Sequence, residues 1–220
     1  MSKIKVLLAD DHRIVIEGLQ RLLEPEYDVV GAVEDGRALI AATRELRPDV
    51  IVADVTMPHL NGLDAVRQIK ATDPHIRVVI LTMHRDTQYA ARAFEAGASG
   101  FVLKVSASAE LLTAIGAALK GHTYVTPLIA GDLLHAYREG NRTEDPETEG
   151  PENGFKRLSP RHREVLQLVA EGHSAKEIGT ILHISARTVE SHKYQIMEAL
   201  NVKTTAELIQ WAMKLGIVSI

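Results

Sequence analysis

Five short apolar segments alternate with five amphipathic segments in the first 120 residues, and this alternation restricts the fold more than any other feature of the sequence. The apolar segments have the length of strands and are apolar on both faces; they are residues 4–9, 27–32, 50–53, 78–81 and 101–103. Between them, apolar residues recur with helical spacing near residues 13–23, 36–47, 62–72, 86–96 and 108–120. Strands buried on both faces that alternate with helices predict a doubly wound α/β domain with a five-stranded parallel sheet.

The composition of the 220-residue chain changes after residue 138. Residues 139–154 contain six acidic residues and no apolar residue, so they cannot bury enough surface to offset the entropy cost of ordering. We therefore predict four parts along the chain. They are an α/β domain at 1–120, a helical extension at 121–138 whose helix begins at Pro127, a flexible acidic linker at 139–155, and a second domain at 156–220.

The second domain is predicted to be all-α, with four helices. Serine N-caps at Ser159, Ser174 and Ser185 precede three of them, and the predicted spans are residues 160–171, 175–182, 186–200 and 204 or 205 to about 214. Two short helices followed by a longer one are typical of a helix-turn-helix. Residues 155–220 contain nine basic and six acidic residues, so this end of an acidic chain favours a polyanionic partner.

Polar side chains follow four of the predicted strands at the point where each strand ends. The first strand ends at Asp10-Asp11, the third at Asp54, the fourth at Thr82 and the fifth at Lys104. Ligands of open parallel sheets bind at the carboxyl ends of the strands, so we expect these side chains to meet at one edge of the sheet.

This set of groups suits the transfer of a phosphoryl group to a carboxylate. Carboxylates held together repel each other and need a cation, and hard oxygen ligands favour Mg²⁺. Asp54 lies centrally and would act as the nucleophile. Lys104 would pair with phosphoryl oxygens as a point charge, and Thr82 would donate a hydrogen bond to another of these oxygens.

Four segments around these residues carry a resemblance to a known family. They are LLADDH (7–12), ADVTMPHLNG (53–62), ILTMH (80–84) and GFVLK (100–104). Over about residues 3–120 the chain resembles the receiver domain of two-component response regulators. The resemblance implies a flavodoxin-like form of the doubly wound fold, and it implies that a partner histidine kinase donates the phosphoryl group to Asp54.

The resemblance also implies roles for single residues. The Mg²⁺ ligands would be Asp10, Asp11, Asp54 and the main-chain carbonyl of Thr56. Phe101 matches the aromatic residue that swings inward when the pocket threonine moves. Thr56 and His84 match positions that tune the rate of dephosphorylation. Val105 stands where many receivers carry a proline with a cis peptide, so the conformation of the loop that begins at Lys104 stays open.

The third helix of the second domain places its apolar and polar residues on opposite faces. At about 100° per residue, Val189, Ile196 and Leu200 share the inward face, while Arg187, Ser191, Tyr194 and Glu198 point outward. The pattern SxRTVExHxxxIxxxL in this region resembles the LuxR-type output domain of NarL/FixJ response regulators. By resemblance Glu190, Ser191 and Tyr194 reach base edges of DNA. The candidates for contact with the DNA backbone are Lys176, Arg187, Thr188 and Lys193.

Together these features predict a DNA-binding transcriptional response regulator of a two-component system. Phosphorylation of Asp54 would favour a homodimer or release the DNA reader. The expected partners are a sensor histidine kinase, promoter DNA and, after phosphorylation, a second copy of the chain; RNA polymerase is a further candidate. By resemblance, the last helix would pair the DNA-binding domains, and the candidate contacts are Leu208, Trp211 and Leu215. All three could instead belong to the core of their own domain, which is the favoured interpretation for Leu208.

The composition excludes several other classes of protein. The chain has no cysteine, which excludes disulfides, thiolate metal sites and cysteine nucleophiles. It has no run of 18 apolar residues and no signal-peptide pattern at its N-terminus, so we expect a cytoplasmic protein without a membrane partner. We do not expect an enzyme, beyond self-catalysed phosphotransfer and autodephosphorylation.

Three alternatives stay open from the sequence. An aspartyl-phosphate hydrolase of the haloacid dehalogenase type would need a second Asp two residues after the nucleophile, where this chain has Thr56. The helical domain could bind protein or RNA instead of DNA. The chain could also be an orphan regulator that never meets a kinase, which the intact acidic pocket disfavours.

Overall fold

A computed structural model describes residues 3–140 and 158–218. The chain divides into two compact units, of which the first is α/β and the second is helical. Of the predicted acidic linker, residues 141–155 lie outside the described residues. Within the described ranges, no helix is both long enough and apolar enough to span a lipid bilayer.

The first unit alternates strands and helices along the chain as the sequence pattern predicts. The strands are β1 Lys5–Ala9, β2 Asp28–Val33, β3 Val50–Ala53, β4 Arg77–Thr82, β5 Gly100–Leu103 and β6 Tyr124–Val125. The helices are α1 Arg13–Leu23, α2 Gly36–Leu46, α3 Gly62–Thr72, α4 Thr87–Glu95, α5 Ala107–Leu119 and α6 Pro127–Gly140. The strands pair in parallel in the order β2-β1-β3-β4-β5-β6, which confirms the predicted doubly wound parallel sheet.

The central strands are buried, and their register sets the positions of the side chains that follow them. All residues of β3 and β5 are buried, as a parallel sheet covered by helices on both faces requires. Ala9 at the end of β1 pairs with Ala53 at the end of β3. The Asp54 N–H donates to the Ala9 carbonyl over 2.8 Å, so this register places Asp54 beside the end of β1.

The sheet has six strands, so the predicted count of five strands was wrong. The sixth strand consists of two residues, Tyr124 and Val125, which pair with Gly100 and Phe101 of β5. So short a strand leaves no apolar run or alternation in the sequence. Instead it is held by the buried side chain of Thr126. The Thr126 hydroxyl accepts a hydrogen bond from the Leu103 N–H over 3.0 Å and donates one to Glu110 over 2.8 Å.

The second unit contains four helices in its described part: α7 Pro160–Ala170, α8 Ala175–Leu182, α9 Ala186–Ala199 and α10 Thr205–Lys214. The caps are the predicted ones. Ser159, Ser174 and Ser185 each accept a hydrogen bond from a backbone N–H in the first turn of the helix that follows. A Cβ added at Gly179 would lie 2.7 Å from the Ile184 carbonyl oxygen, so glycine allows α8 to pack closely against the turn before α9.

The core of the second unit contains two of the three candidate residues for pairing between copies, including Leu208, for which the core was the favoured interpretation. Leu208 and Leu215 of the α10 region are buried among the core residues of their own unit. Trp211 is partly buried and packs against the same core. In this structure Leu208 and Leu215 therefore stabilise the domain itself, because α10 packs against α7 and its apolar face lies in the core of the unit.

Candidate functional site

Carboxylates from two central strands meet at the carboxyl edge of the sheet. Asp10 follows β1 and Asp54 follows β3, and both side chains are buried, with Asp54 6% exposed. One ligand atom each from Asp10, Asp11, His12 and Asp54 lie within 4.8 Å of one another. A cluster with three carboxylates fits a hard divalent cation such as Mg²⁺. The structure thus brings together the three carboxylates that the sequence predicted.

The sequence prediction did not include His12. The ring Nδ1 of His12 lies 2.8 Å from Asp11 Oδ1, and the backbone N–H of His12 donates to Asp10 Oδ1 over 3.0 Å. His12 thus contacts both of these carboxylates. The adjacency of His12 to the acidic pair was the only indication in the sequence, since the ring orientation depends on the turn between β1 and α1.

Lys104 contributes the positive charge of the cluster. Its Nζ lies 2.6 Å from Asp10 Oδ2 and 2.7 Å from Asp54 Oδ2. The chain forms a single 3₁₀ turn over Lys104–Ser106, and the peptide bond between Lys104 and Val105 is trans. The loop without proline therefore delivers the ammonium group to the pocket in the predicted place.

Burial and charge oppose each other in this pocket. Burial raises the pKa of Asp54 above its ordinary value, although the nearby Lys104 ammonium acts to lower it and Asp10 acts to raise it. Burial alone would lower the pKa of Lys104, but Asp54 and Asp10 outweigh burial, so the pKa of Lys104 is raised. One ammonium against two buried carboxylates leaves a net negative charge, which favours a bound cation.

The raised pKa of Asp54 predicts how stability depends on pH. The folded chain binds this proton more tightly than the unfolded chain does, so ionised Asp54 costs stability at neutral pH, and the cost disappears as the pH falls through the raised pKa. In the absence of divalent cations, Asp54→Asn should unfold at a higher urea concentration than the wild type at pH 7. The urea midpoints of the two proteins should converge at acid pH. An Asp54→Asn variant less stable than the wild type at pH 7 would contradict this prediction. Asp28→Asn, at an exposed carboxylate at the start of β2, is the matched control.

The loop after Asp54 is held by backbone contacts. The Val55 N–H donates to Asp54 Oδ1 over 2.6 Å, and the Gly62 N–H donates to the Val55 carbonyl over 2.8 Å. A Cβ at Gly62 would lie 1.8 Å from the Asp54 carbonyl oxygen. The start of α3 can thus approach the Asp54 backbone only because residue 62 is glycine.

The other predicted pocket residues have different partners. Thr82 is fully buried, and its hydroxyl accepts a hydrogen bond from the His84 N–H over 3.2 Å. The side chains of Thr56 and His84 share a hydrogen bond of 3.1 Å between Oγ1 and Nε2. Phe101 is fully buried within β5. The pocket groups of β1, β3 and β5 therefore contact each other directly, whereas Thr82 is bonded to the loop that follows its own strand.

Helix α9 of the second unit has the polar face that its sequence predicts. Val189 and Ile196 are buried, while the outward positions are exposed, above all Tyr194, which is 70% exposed. The other exposed candidates for DNA contact are Lys176, Arg187, Thr188 and Ser191. An exposed aromatic residue among polar neighbours on one helix face is typical of a contact surface.

Two further candidates on α9 are paired with each other. Lys193 Nζ lies 3.5 Å from Glu190 Oε2, and the two side chains are 25% and 47% exposed. Lys193 therefore neutralises part of the Glu190 charge and is less available to solvent than Glu190. This i,i+3 ion pair was not foreseen from the sequence.

An open cleft of about 530 Å³ lies between α8 and the start of α9. Its lining combines an ammonium group with the N-terminal turn of α9, where backbone N–H groups favour anions. The lining residues are Lys176, Gly179, Thr180, His183, Ile184, Ser185 and Ala186. The lining includes Ala186, the first residue of α9, so the cleft adjoins the helix that carries the exposed polar face. A phosphate group could bind in this cleft.

Comparison with known proteins assigns both units to families. Residues 6–116 match the response regulator receiver domain, and residues 156–212 match the bacterial regulatory proteins of the luxR family. The chain is 34% identical to the transcriptional regulatory protein DegU of Brevibacillus brevis, over 100% of this chain and 97% of that protein. It is 35% identical to the oxygen regulatory protein NreC of Staphylococcus haemolyticus, over 96% of this chain and 97% of that protein.

A solved structure of similar fold comes from Salmonella enterica serovar Typhimurium. It is the structure of RcsB bound to a promoter in the presence of the phosphomimetic BeF3⁻, with a TM-score of 0.59 and 30% sequence identity. The match covers 97% of this chain and 100% of RcsB. The fold, the order of the two matched domains and the similarity along the whole chain all indicate the same family. The chain belongs to the NarL/FixJ family of two-component response regulators, with a receiver domain and a LuxR-type DNA-binding domain.

Proposed function

We propose that this chain regulates transcription in response to phosphorylation of Asp54 by a sensor histidine kinase. The observation that carries the proposal is the convergence of Asp10, Asp54 and Lys104 from three strands, with Lys104 Nζ within 2.7 Å of both carboxylates. A lysine between two buried carboxylates contributes little net stability, so its arrangement favours a functional role. The carboxylates suit a divalent cation, and the ammonium group suits the oxygens of a phosphoryl group.

The residues that would hold Mg²⁺ are Asp10, Asp11, Asp54 and the main-chain carbonyl of Thr56. A bound Mg²⁺ would neutralise negative charge on the carboxylates and on the incoming phosphoryl group. An Asp54 oxygen attacks the phosphorus, and the P–N bond of the donor phosphohistidine breaks. Lys104 then exchanges its Asp54 contact for a phosphoryl oxygen. We propose no further enzymatic activity beyond this phosphotransfer and the hydrolysis of the phosphoaspartate.

The switch would involve two residues that have other positions in this structure. The Thr82 hydroxyl must leave the His84 N–H to donate to a phosphoryl oxygen. Phe101 is buried on the neighbouring strand β5, and it pairs with Ile80 of β4. We propose that movement of Thr82 is accompanied by a rearrangement of Phe101, which changes the surface around β5 and α4.

We propose that α9 reads promoter DNA through its exposed face. Glu190, Ser191 and Tyr194 would contact base edges, where the Glu190 carboxylate can accept a hydrogen bond from a cytosine amino group. Four residues would contact the DNA backbone: Lys176, Arg187, Thr188 and Lys193. RcsB bound to its promoter with a phosphomimetic supports a DNA role for the matched domain. A single domain offers a small interface, so we propose that the phosphorylated chain binds as a homodimer. RNA polymerase is a further candidate partner.

The coupling between phosphorylation and DNA binding can be measured directly. Binding sites are first selected from genomic fragments, and affinity is then measured at fixed salt with and without acetyl phosphate and Mg²⁺. We expect phosphorylation to raise specific affinity roughly 5- to 150-fold, the usual range of coupling between two sites. Asp54→Asn should show the low affinity under both conditions. Equal affinity of the wild type under both conditions would refute the coupling.

A further inference from the structure

The side-chain hydrogen bond between Thr56 and His84 links two loops that follow pocket residues. Thr56 lies two residues after Asp54, and His84 lies two residues after Thr82. Strands β3 and β4 are neighbours, so the bond joins the loops that follow them. Asp54 and Thr82 are buried, whereas Thr56 and His84 are partly exposed. The Thr56–His84 bridge is therefore more accessible to solvent than the buried Asp54 and Thr82.

The imidazole of His84 is held on a further side by Tyr89 of α4. The two ring centroids are 4.3 Å apart, and the ring planes differ by 6°, so the rings stack face to face. The start of α4 is fixed in turn, because the Asp86 side chain accepts a hydrogen bond from the Gln88 N–H over 2.9 Å. The Arg92 guanidinium carbon lies 5.8 Å from the centroid of the Tyr89 ring. Tyr89 is thus a fixed, half-buried support for the His84 ring.

We infer that Tyr89 is a positioning residue that, by stacking on His84, keeps the Thr56–His84 bridge closed over the phosphorylated Asp54 and prolongs the lifetime of the phosphoaspartate. This inference rests on the proposed function. In hydrolysis a water oxygen forms a bond to phosphorus, the bond from phosphorus to the Asp54 oxygen breaks, and inorganic phosphate and a proton are released. A closed bridge hinders the approach of that water. Without the stack, the imidazole gains rotational freedom and the bridge opens more often.

The test measures the decay of the phosphorylated protein. The full chain is labelled with acetyl phosphate and Mg²⁺, the donor is removed by rapid desalting, and the remaining phosphoprotein is followed with time. Tyr89→Leu keeps an apolar side chain but removes the stack, so its decay should be roughly 2- to 10-fold faster, as loss of one aromatic pair implies. Tyr89→Phe keeps the ring and should decay at the wild-type rate. Decay of Tyr89→Leu at the wild-type rate or more slowly would overturn the inference.

Two controls separate positioning from a general loss of structure. Gln88→Ala changes an exposed neighbour on α4 and should leave the decay unchanged. In a Thr56→Ala background the bridge is already absent, so adding Tyr89→Leu should accelerate decay no further. If Tyr89→Leu accelerated decay equally in that background, Tyr89 would not act through the bridge and the inference would be wrong. The rate of labelling should be the same in Tyr89→Leu, Tyr89→Phe and Gln88→Ala as in the wild type.

An independent measurement examines the stack without phosphate. Ring protons of His84 should be shifted upfield by the Tyr89 ring in the wild type and in Tyr89→Phe, and the shift should be lost in Tyr89→Leu. Absence of the shift in the wild type would overturn the inference while leaving the proposed function intact. Absence of label on Asp54 in the wild type would instead overturn the proposed function, and the inference with it.

Discussion

Replacing Asp54 with asparagine is expected to reduce Mg²⁺-dependent labelling of the chain by acetyl phosphate to background. The amide of asparagine has no charged oxygen to attack phosphorus, and its neutral side chain weakens the attraction for the cation. The rest of the pocket should persist, because Lys104 retains its ion pair with Asp10. The labelled product can be identified by mass spectrometry of the peptide that contains residue 54.

Matched variants show whether the loss is specific to this carboxylate. Asp28→Asn alters an exposed carboxylate at the start of β2 and should label like the wild type. Removal of divalent cations with a chelator should abolish labelling of the wild type as well. Labelling of Asp54→Asn at the wild-type level would disprove the assignment of Asp54 as phosphoacceptor, since another side chain would then carry the phosphate.

Gly62→Ala is expected to destabilise the first unit strongly, by roughly 3 kcal/mol, the upper end of the usual cost of overpacking. The added Cβ would lie 1.8 Å from the Asp54 carbonyl oxygen, and that contact can be relieved only if the backbone moves. Because the displaced backbone belongs to Asp54 itself, labelling by acetyl phosphate should fall together with the urea midpoint of unfolding.

Gly18→Ala provides a control with the opposite sign. Gly18 lies in the middle of α1, is exposed, and has no heavy atom within 4 Å of an added Cβ. Alanine at such a position stabilises a helix by about 0.5–1 kcal/mol relative to glycine. The same chemical change should thus raise stability at residue 18 and lower it at residue 62. Equal effects at both sites would show that the close approach at Gly62 is absent in solution.

The sequence was sufficient to predict the parallel sheet and the groups that meet at its edge. Apolar strands alternating with helices fix the direction of the strands, and the ends of parallel strands lie together. Asp10, Asp54 and Lys104 therefore had to converge wherever the exact loops run. The inward face of α9, with Val189 and Ile196, followed from helical periodicity for the same reason.

Contacts that depend on loop conformation or on side-chain rotamers were not predictable from the sequence. The stack of His84 on Tyr89 requires a particular path between β4 and α4, and no periodic pattern encodes that path. The ion pair between Glu190 and Lys193 depends on two rotamers. The sixth strand is too short to leave a pattern, and it exists because Thr126 satisfies backbone and side-chain groups of neighbouring elements.

The Thr126 contacts have a consequence for fragments of the protein. An N-terminal fragment that stops at residue 120 would lack Thr126, leaving the Leu103 N–H and the Phe101 carbonyl without their partners. It would also uncover one side of β5, and an uncovered strand edge invites pairing with another chain. Self-association of such a shortened receiver would then result from the loss of residues 121–126. It would not be a property of the intact molecule.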